Sequence, residues 1–234
     1  MILFYSDFID EAQVFLEEDE FIHCIKVLRH KTGDAIHITN GKGTFAQATI
    51  QNISKKSAQL RITESLTHDK SESELILAIA PPKSKNRWEL ILEKTVELGV
   101  DKIIPFYSAN SERFRMNDLR AAKIIRSAAL QSKRSYHPSI SEATSFESLI
   151  DSVADQQINK FIAHYTAHND HLLNERLSHH VSLIIIGPEG DFRKEEIEYA
   201  NSNAFKTINL NQNRLRTETA ALCAVSILHA KIFQ

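Results

Sequence analysis

The sequence predicts an α/β protein with a mostly parallel sheet, preceded by a small β domain. In the second half, short apolar runs alternate with helical patterns, which is typical of a parallel sheet covered on both faces. In the first half, closely spaced alternating segments with turn residues between them favour a small barrel or open sheet. A polar stretch at 69–73 has no periodicity, so we expect domains at 1–68 and 74–234.

The first half begins with an apolar-periodic helical segment, FIHCIKVLRH, and continues as strands. The loop Asn40–Gly43 lies between the predicted strands Ala35–Thr39 and Thr44–Ile50. It supplies asparagine and glycine where a hairpin needs positive φ. A further strand is predicted at Ala58–Thr63, which continues the same alternation.

The second half predicts five strands, each an apolar run: Leu75–Ala80, Lys102–Phe106, Lys160–Tyr165, Val181–Ile186 and Lys206–Leu210. Between them, the stripe around Trp88 predicts a helix that Gly99 ends, and Asn117 is a candidate N-cap for the next helix. The last helical segment, TAALCAVSILHAKIF, is apolar nearly all round. We therefore expect it to be buried in a core or an interface.

Composition indicates an ordinary soluble protein. The chain is 42% apolar and 25% charged, and none of its apolar runs approaches the roughly 20 residues that cross a bilayer. The start lacks the basic flank of a signal peptide, and the two cysteines, Cys24 and Cys223, lie in apolar helical patterns. We expect reduced thiols and a cytoplasmic location. A net charge of -2 argues against nonspecific coating of nucleic acid.

The segment Gly187–Gly190 uses two of the six glycines at the end of an apolar strand. One explanation is a tight turn in which Pro188 presets φ and Gly190 accepts positive φ. The other is a ligand that approaches the backbone where no Cβ intervenes, at the strand end where parallel sheets bind ligands. A Rossmann-type nucleotide enzyme is disfavoured, because no G-x-G-x-x-G follows any strand.

A second loop, Asn211–Ala220, follows the strand KTINL and precedes the final helix. Thr217 can cap that helix, and Glu218 suits its positive end. Capping leaves the Arg-Leu-Arg of this loop, which ends at Arg216, without an explanation.

These two loops closely resemble a known family. GPEGDF and LNQNRLRTETA are similar to the GPEGGF and LG-x-R-I-L-R-TETA signatures of the RsmE family of 16S rRNA uracil-N3 methyltransferases. HCIKVLRHKTGD, WELILEKTVELGVDKIIPF and AALQSKRSYHPSI agree with it as well, so the resemblance covers nearly the whole chain. It implies a PUA-like N-terminal β domain and a SPOUT methyltransferase domain with a C-terminal deep trefoil knot. It also implies S-adenosylmethionine as methyl donor, the 16S rRNA or small ribosomal subunit as partner, and a homodimer.

The resemblance assigns the donor pocket to the two strand-end loops. The implied cofactor-binding residues are Ile186, Gly187, Pro188, Glu189, Gly190, Leu210, Asn211, Leu215, Arg216, Thr217, Thr219 and Ala220. Two positions depart from the family pattern. Asp191 replaces the second glycine of GPEGG, and Asn211 replaces the glycine after Leu210, where asparagine can keep a left-handed turn.

The chemistry requires that the imide proton at uracil N3 leave before or during methyl transfer. Arg216 can stabilise the developing negative charge, and either Glu218 or Glu189 can take the proton. The target base must be unstacked or single-stranded, because a paired N3 is inaccessible. The candidates for holding phosphate are Arg29, Lys83, Lys85, Arg87, Arg113, Arg115, Lys133 and Arg134.

Two alternative functions stay open beside the uracil-N3 methyltransferase. A noncatalytic RNA-binding assembly factor would keep the fold without the donor site, which the intact RLRTETA motif disfavours. A SPOUT methyltransferase could also act on another RNA position. No metal is expected, because the spacing of His164, His168 and His171 matches no zinc pattern.

Overall fold

The chain divides into two units in a computed structural model that describes residues 2–7, 9, 14–111, 116–166 and 169–232. The first unit comprises Met1–Lys70 together with Ala129–His137. The second comprises Ser71–Ala128 and Pro138–Gln234.

The first unit is built on a five-stranded sheet with the order β1-β3-β4-β5-β2. Its strands are β1 (Leu3–Tyr5), β2 (Val14–Glu17), β3 (Ala35–Thr39), β4 (Thr44–Ile53) and β5 (Ser57–Thr67). β1 pairs parallel with β3, and the other pairs are antiparallel. The predicted helical segment is a short α1 (Glu18–Phe21) that continues as a π-helix over Ile22–Val27.

The predicted hairpin between β3 and β4 is confirmed. Gly41 and Gly43 have φ of 64° and 103°. The side-chain Oδ1 of Asn40 accepts hydrogen bonds from the backbone N–H groups of Lys42 and Thr44, at 2.8 and 3.1 Å. Asparagine therefore stabilises this loop through its side chain, while glycine provides the left-handed backbone.

A segment distant in sequence, Ala129–His137, is part of the first unit. The backbone N–H of Gly43 donates to the carbonyl of Ser135, and that of His137 donates to the carbonyl of Gly41, both at 2.8 Å. A Cβ at Gly41 would lie 2.5 Å from Cγ of His137, so only glycine leaves room for this contact.

The second unit contains a sheet whose strand pairs, within the described residues, are all parallel, which agrees with the predicted mostly parallel sheet. Its order is β11-β13-β10-β12-β6-β7-β8, and β9 also pairs with β7. The strands are β6 (Glu74–Ile79), β7 (Lys102–Tyr107), β8 (Ser139–Ile140), β9 (Thr144–Ser145), β10 (Asn159–Ala163), β11 (Asp170–His171), β12 (Val181–Ile186) and β13 (Lys206–Asn209).

The helices are α2 (Lys85–Glu97), α3 (Asp118–Gln131), α4 (Phe146–Ser152), α5 (Lys194–Ser202) and α6 (Thr217–Ile232), with a 3₁₀ turn at Leu172–Asn174. Two predicted boundaries are confirmed. Oδ1 of Asn117 accepts from the backbone N–H of Arg120 at 2.9 Å and so caps α3. Gly99 follows α2 with φ of 102°.

The order of the sheet positions the site. β10 lies between β12 and β13, and all three run parallel, so their carboxyl ends meet at one edge. Their apolar residues, among them Ile162, Ile185 and Ile208, are fully buried, which fixes the three strand ends against one rigid core.

Candidate active site

A cavity of about 390 Å³ lies where β10, β12 and β13 end. Ten of the twelve residues predicted to bind a cofactor line it: Ile186, Gly187, Pro188, Glu189, Leu210, Asn211, Leu215, Arg216, Thr217 and Ala220. Gly190 and Thr219 do not belong to this lining. The loops after β12 and β13, the two strands that flank β10, thus form two walls of one concave site.

Two hydrogen bonds hold the walls together. The hydroxyl of Thr217 donates to the carbonyl of Gly187 at 3.2 Å, and the Tyr165 hydroxyl donates to the carbonyl of Gln212 at 2.9 Å. The prediction that Thr217 caps the last helix is wrong, because α6 begins at Thr217 itself. Its hydroxyl instead joins the second loop to the first.

The two glycines of the first loop face protein atoms. A Cβ at Gly187 would lie 2.7 Å from the Phe192 ring, and one at Gly190 would lie 3.1 Å from Cβ of Asn110. Packing against protein atoms therefore accounts for the absence of a Cβ at both positions, and a ligand at the backbone of this loop stays a prediction. The expected positive φ at Gly190 is wrong, since Asp191 carries it, with φ of 62°.

The turn predicted at Asn211 differs in the same way. Among the described residues, the non-glycine positions with positive φ are Glu18, Arg29, Lys133, Asp191 and Ala204, so Asn211 is not left-handed. Its side-chain Oδ1 accepts from the backbone N–H of Asn213 at 3.2 Å. Asparagine therefore shapes this loop by a side-chain turn.

Charged side chains cluster beside the cavity. Nε of Arg87 lies 3.5 Å from Oε1 of Glu218, and its Nη1 lies 3.9 Å from Oε1 of Glu189. Glu218 is largely buried and is absent from the cavity lining, whereas Glu189 and Arg216 belong to it. Arg87 was predicted to bind RNA, and the structure places it between the two candidate proton acceptors.

The half-buried thiol of Cys223 adjoins this site. Its Sγ donates to the carbonyl of Leu210 at 3.6 Å, and burial raises the pKa of the thiol above its ordinary value. The thiol is therefore a packing group at the back of the second loop, since a protonated thiol is a weak nucleophile.

The remaining residues predicted to bind RNA are distributed over both units. Arg29 and Lys133 are exposed, with φ of 61° and 54°, and belong to the first unit, as does half-buried Arg134. Lys83 and Lys85 are exposed in the second unit. Arg113 and Arg115 lie outside the described residues.

The sequence analysis did not predict the third wall of the cavity, which the end of β10 forms. Ala163, His164 and Tyr165 line the cavity, and so do Asp191 and Arg214. A signal existed, because a strand ending near Tyr165 was predicted and parallel strands present their carboxyl ends at one edge. Nδ1 of His164 lies 3.0 Å from Oδ1 of Asp191, so the partner of this ring nitrogen is an aspartate.

Within the described ranges, no group of three or more histidine, cysteine or acidic side chains is arranged to hold a metal ion. None of the helices in those ranges combines the length and apolarity needed to cross a membrane.

Comparison with known proteins agrees with this architecture. Residues 69–229 match the model of the RNA methyltransferase domain, and residues 16–63 match the RNA methyltransferase PUA domain. The fold and the site therefore define an RNA methyltransferase of the SPOUT type with an N-terminal PUA domain. The predicted mostly parallel α/β fold is confirmed, whereas the knot stays a prediction.

Several curated relatives share the name Ribosomal RNA small subunit methyltransferase E. Ribosomal RNA small subunit methyltransferase E of Rickettsia conorii is 30% identical over 224 residues, which are 93% of this chain and 89% of that protein. The chain belongs to this family, the RsmE methyltransferases, and the predicted resemblance is confirmed.

Solved structures support the same placement. A crystal structure of a "probable rRNA-methyltransferase" from Porphyromonas gingivalis has a TM-score of 0.89 and 33% identity, and the match covers 99% of this chain and 98% of the other. The Neisseria gonorrhoeae Ribosomal RNA small subunit methyltransferase E, solved bound to S-adenosyl methionine, has a TM-score of 0.86 and 26% identity. That match covers 98% and 97% of the two chains.

Proposed function

We propose that this methyltransferase uses S-adenosylmethionine to methylate N3 of one specific uridine in the 16S rRNA of the small ribosomal subunit. The observation that carries the proposal is the cavity at the ends of β10, β12 and β13, with Glu189 and Arg216 in its wall. Membership of the RsmE family, whose relatives are named for small-subunit rRNA, supports the choice of substrate.

The residues present fit S-adenosylmethionine. A cavity of about 390 Å³ falls within the range of small-molecule sites, roughly 300–1,000 Å³. Ile186, Leu210 and Leu215 offer apolar surface to a purine ring, and the loop backbones offer N–H and C=O groups to its edge. When bound, S-adenosylmethionine supplies an electrophilic methyl group.

The chain's own side chains handle the proton and the charge. Glu189 is the proton acceptor, because it is half-exposed and lines the cavity, whereas Glu218 is held by Arg87 outside that lining. Arg216 is exposed on the opposite loop and stabilises the negative charge that develops on the uracil. Arg87 lies near both Glu189 and Glu218 and so links the first loop to the start of α6.

The remaining assignments form part of the same proposal. The PUA-like domain at 1–68 docks RNA through Arg29, and the domain at 74–234, with its C-terminal chain in a deep trefoil knot, holds the donor. The linker is 69–73. The active form is a cytoplasmic homodimer joined through α6.

The test is methylation of small ribosomal subunits that lack the modification, with the product mapped by mass spectrometry of nucleosides. We expect one 3-methyluridine in 16S rRNA, present with the wild-type protein and absent with Glu189→Gln. A methylated nucleoside of another kind would contradict the N3 assignment. If donor binding occurred without transfer to any RNA, the protein would be a binding factor and not this enzyme.

A further inference from the structure

Asp191 and His164 form a polar pair in the wall of the donor cavity. Both residues line the cavity, and Nδ1 of His164 lies 3.0 Å from Oδ1 of Asp191. Because a carboxylate only accepts hydrogen bonds, Nδ1 is the donor. The same Oδ1 also accepts from the backbone N–H of Phe192 at 2.8 Å. One oxygen of Asp191 thus has two donors.

The backbone of Asp191 is equally well held. Its N–H donates to the carbonyl of Pro188 at 3.0 Å, and its own carbonyl accepts from Nδ2 of Asn110 at 3.0 Å. These bonds stabilise a left-handed residue, φ 62°, that any side chain other than glycine, asparagine or aspartate would strain. The aspartate at this position therefore places a fixed carboxylate in the cavity wall.

The backbone of His164 is also held by two hydrogen bonds. The backbone N–H of His164 donates to the carbonyl of Ile208 at 3.1 Å, and its carbonyl accepts from Nδ2 of Asn169 at 2.7 Å. The backbone of His164 is therefore anchored to the end of β13, while its ring bonds Asp191 in the loop after β12. His164 fixes the orientation of the Asp191 side chain.

The second carboxylate oxygen has no such partner. Within the described part of the chain, Oδ2 of Asp191 makes no hydrogen bond, and the side chain is 38% exposed at the cavity. An oriented carboxylate with one unused oxygen is suited to a cation or a strong donor. The other charged side chains of the lining are Glu189, Arg214 and Arg216, so Asp191 supplies one of two negative charges there.

We propose that Asp191, held by His164, is a specificity residue that interacts with a cationic group of the methyl donor. This inference rests on the proposed function. S-adenosylmethionine carries two such groups, the sulfonium and the amino-acid ammonium, and the demethylated product keeps only the ammonium. Asp191 is the specificity residue, and His164 is a positioning residue that acts through it.

The experiment is calorimetric titration with four ligands that differ in charge. S-adenosylmethionine has both cations, S-adenosylhomocysteine has the ammonium, sinefungin replaces the sulfonium with a protonated amine, and 5′-methylthioadenosine has neither. The variant is Asp191→Asn, which keeps the left-handed backbone and the acceptor for Phe192. Glu195→Gln is the matched control, because it removes one exposed charge from α5, outside the cavity lining.

We expect Asp191→Asn to weaken S-adenosylmethionine binding roughly tenfold or more, the scale of a hydrogen bond to a charged group. Unchanged affinity for S-adenosylhomocysteine would identify the sulfonium as the partner, and an equal loss would identify the ammonium. Affinity for 5′-methylthioadenosine and all affinities of Glu195→Gln should match those of the wild type. His164→Leu should reproduce part of the loss, and His164→Asn, which keeps a donor near Nδ1, should restore it.

The inference is overturned if Asp191→Asn binds all four ligands like the wild type, or if it loses 5′-methylthioadenosine to the same extent as S-adenosylmethionine. The first result would mean that the carboxylate touches no cation, and the second that its role is structural. A wild-type protein that binds none of the four ligands would instead refute the proposed function itself.

Discussion

Arg216 and Arg214 lie two residues apart on the same loop, and both are exposed and line the cavity. Only Arg216 directly precedes α6, where its carbonyl accepts from the backbone N–H of Ala220 at 2.8 Å. The first turn of the helix thus fixes the backbone that carries the Arg216 side chain at the cavity.

We expect Arg216→Ala to lower the methylation rate by a hundredfold or more, with RNA affinity nearly unchanged. Arg214→Ala is the matched control, and its rate should fall far less. The measurement is single-turnover methylation of small subunits, together with RNA binding by filter retention. Arg216 would be a docking residue, and our assignment wrong, if its alanine variant lost RNA affinity at full turnover.

Burial also determines the chemistry of Cys24, which is fully buried in the core of the first unit. Desolvation, together with the nearby charges of Glu20 and Asp34, raises the pKa of its thiol to about 11. The thiolate is the reactive form, so at pH 8 only about one thiol in a thousand is ionised.

We therefore expect Cys24 in a Cys223→Ser variant to react very slowly with a thiol reagent at pH 8, and faster as the pH rises toward 11. After unfolding in denaturant, the same thiol should react at once. With a disulfide reagent that releases a coloured thiol, the increase of absorbance with time measures both rates. Rapid reaction in the native state would show that this core opens far more readily than its packing implies.

Element boundaries followed from the sequence wherever local chemistry sets them. The central strands of the second unit were predicted within two residues of their ends, because each is an apolar run bounded by turn residues. β8, β9 and β11 have two residues each and carry no periodicity. The grouping of Ala129–His137 with the first unit depends on hydrogen bonds across about 90 residues of chain, which local patterns do not encode.

The site was predictable where its residues have a local signature. The loops Gly187–Gly190 and Asn211–Ala220 have such signatures, and both contribute residues to the cavity. His164 has none, because its role comes from strand order, which places β10 between β12 and β13. The positive φ of Asp191 also follows from how the loop closes onto Asn110 and Pro188.

Gly99 shows how one turn residue determines helix packing. It ends α2 with φ of 102°, and a Cβ there would lie 2.0 Å from Cδ2 of His229 on α6. The residue is therefore glycine for two separable reasons: a left-handed backbone and the close passage of another helix.

We expect Gly99→Ala to lower the free energy of unfolding by roughly 2–4 kcal/mol, from backbone strain and overpacking together. Gly33→Ala, with φ of 94° and no atom within 4 Å of its Cβ, controls for the backbone part. Adding His229→Ala to Gly99→Ala should recover the packing part. Urea denaturation of the wild type and the three variants gives their free energies of unfolding. Equal losses of stability in Gly33→Ala and Gly99→Ala would contradict the role of His229.

The last helix, α6, has one buried face and one exposed face of small side chains. Ala221, Ala224, Val225 and Leu228 are buried, whereas Thr219, Ser226 and Ala230 are exposed in the isolated chain and are small. Small side chains let two helices approach closely, so this face suits a self-complementary contact.

We expect the wild-type protein to be a dimer at micromolar concentration and Ser226→Arg to be a monomer, because a long charged side chain would fill that face. Ser202→Arg is the matched control, because Ser202 is exposed at the end of α5, and this variant should remain dimeric. Light scattering after size exclusion gives the masses. A wild-type monomer across the micromolar range would refute the proposed dimer.

RNA docking and methyl transfer should be separable across the molecule, because Arg29 and Lys133 belong to the first unit and the donor cavity belongs to the second. Removing one phosphate contact weakens binding about equally for all sequences and lowers the slope of log affinity against log salt by roughly one. We therefore expect Arg29→Gln and Lys133→Ala each to show this smaller slope, with unchanged S-adenosylmethionine affinity by calorimetry.

Lys194→Ala is the matched control for those two variants. It removes the same charge at an exposed position of α5, and Lys194 is not predicted to bind RNA. Its salt slope should equal that of the wild type. If Arg29→Gln and Lys133→Ala kept the wild-type slope, these side chains would not contact phosphate, and docking would have to use other cations. If they weakened donor binding instead, the separation of docking from donor binding would be wrong, because these side chains would then also act on the donor cavity.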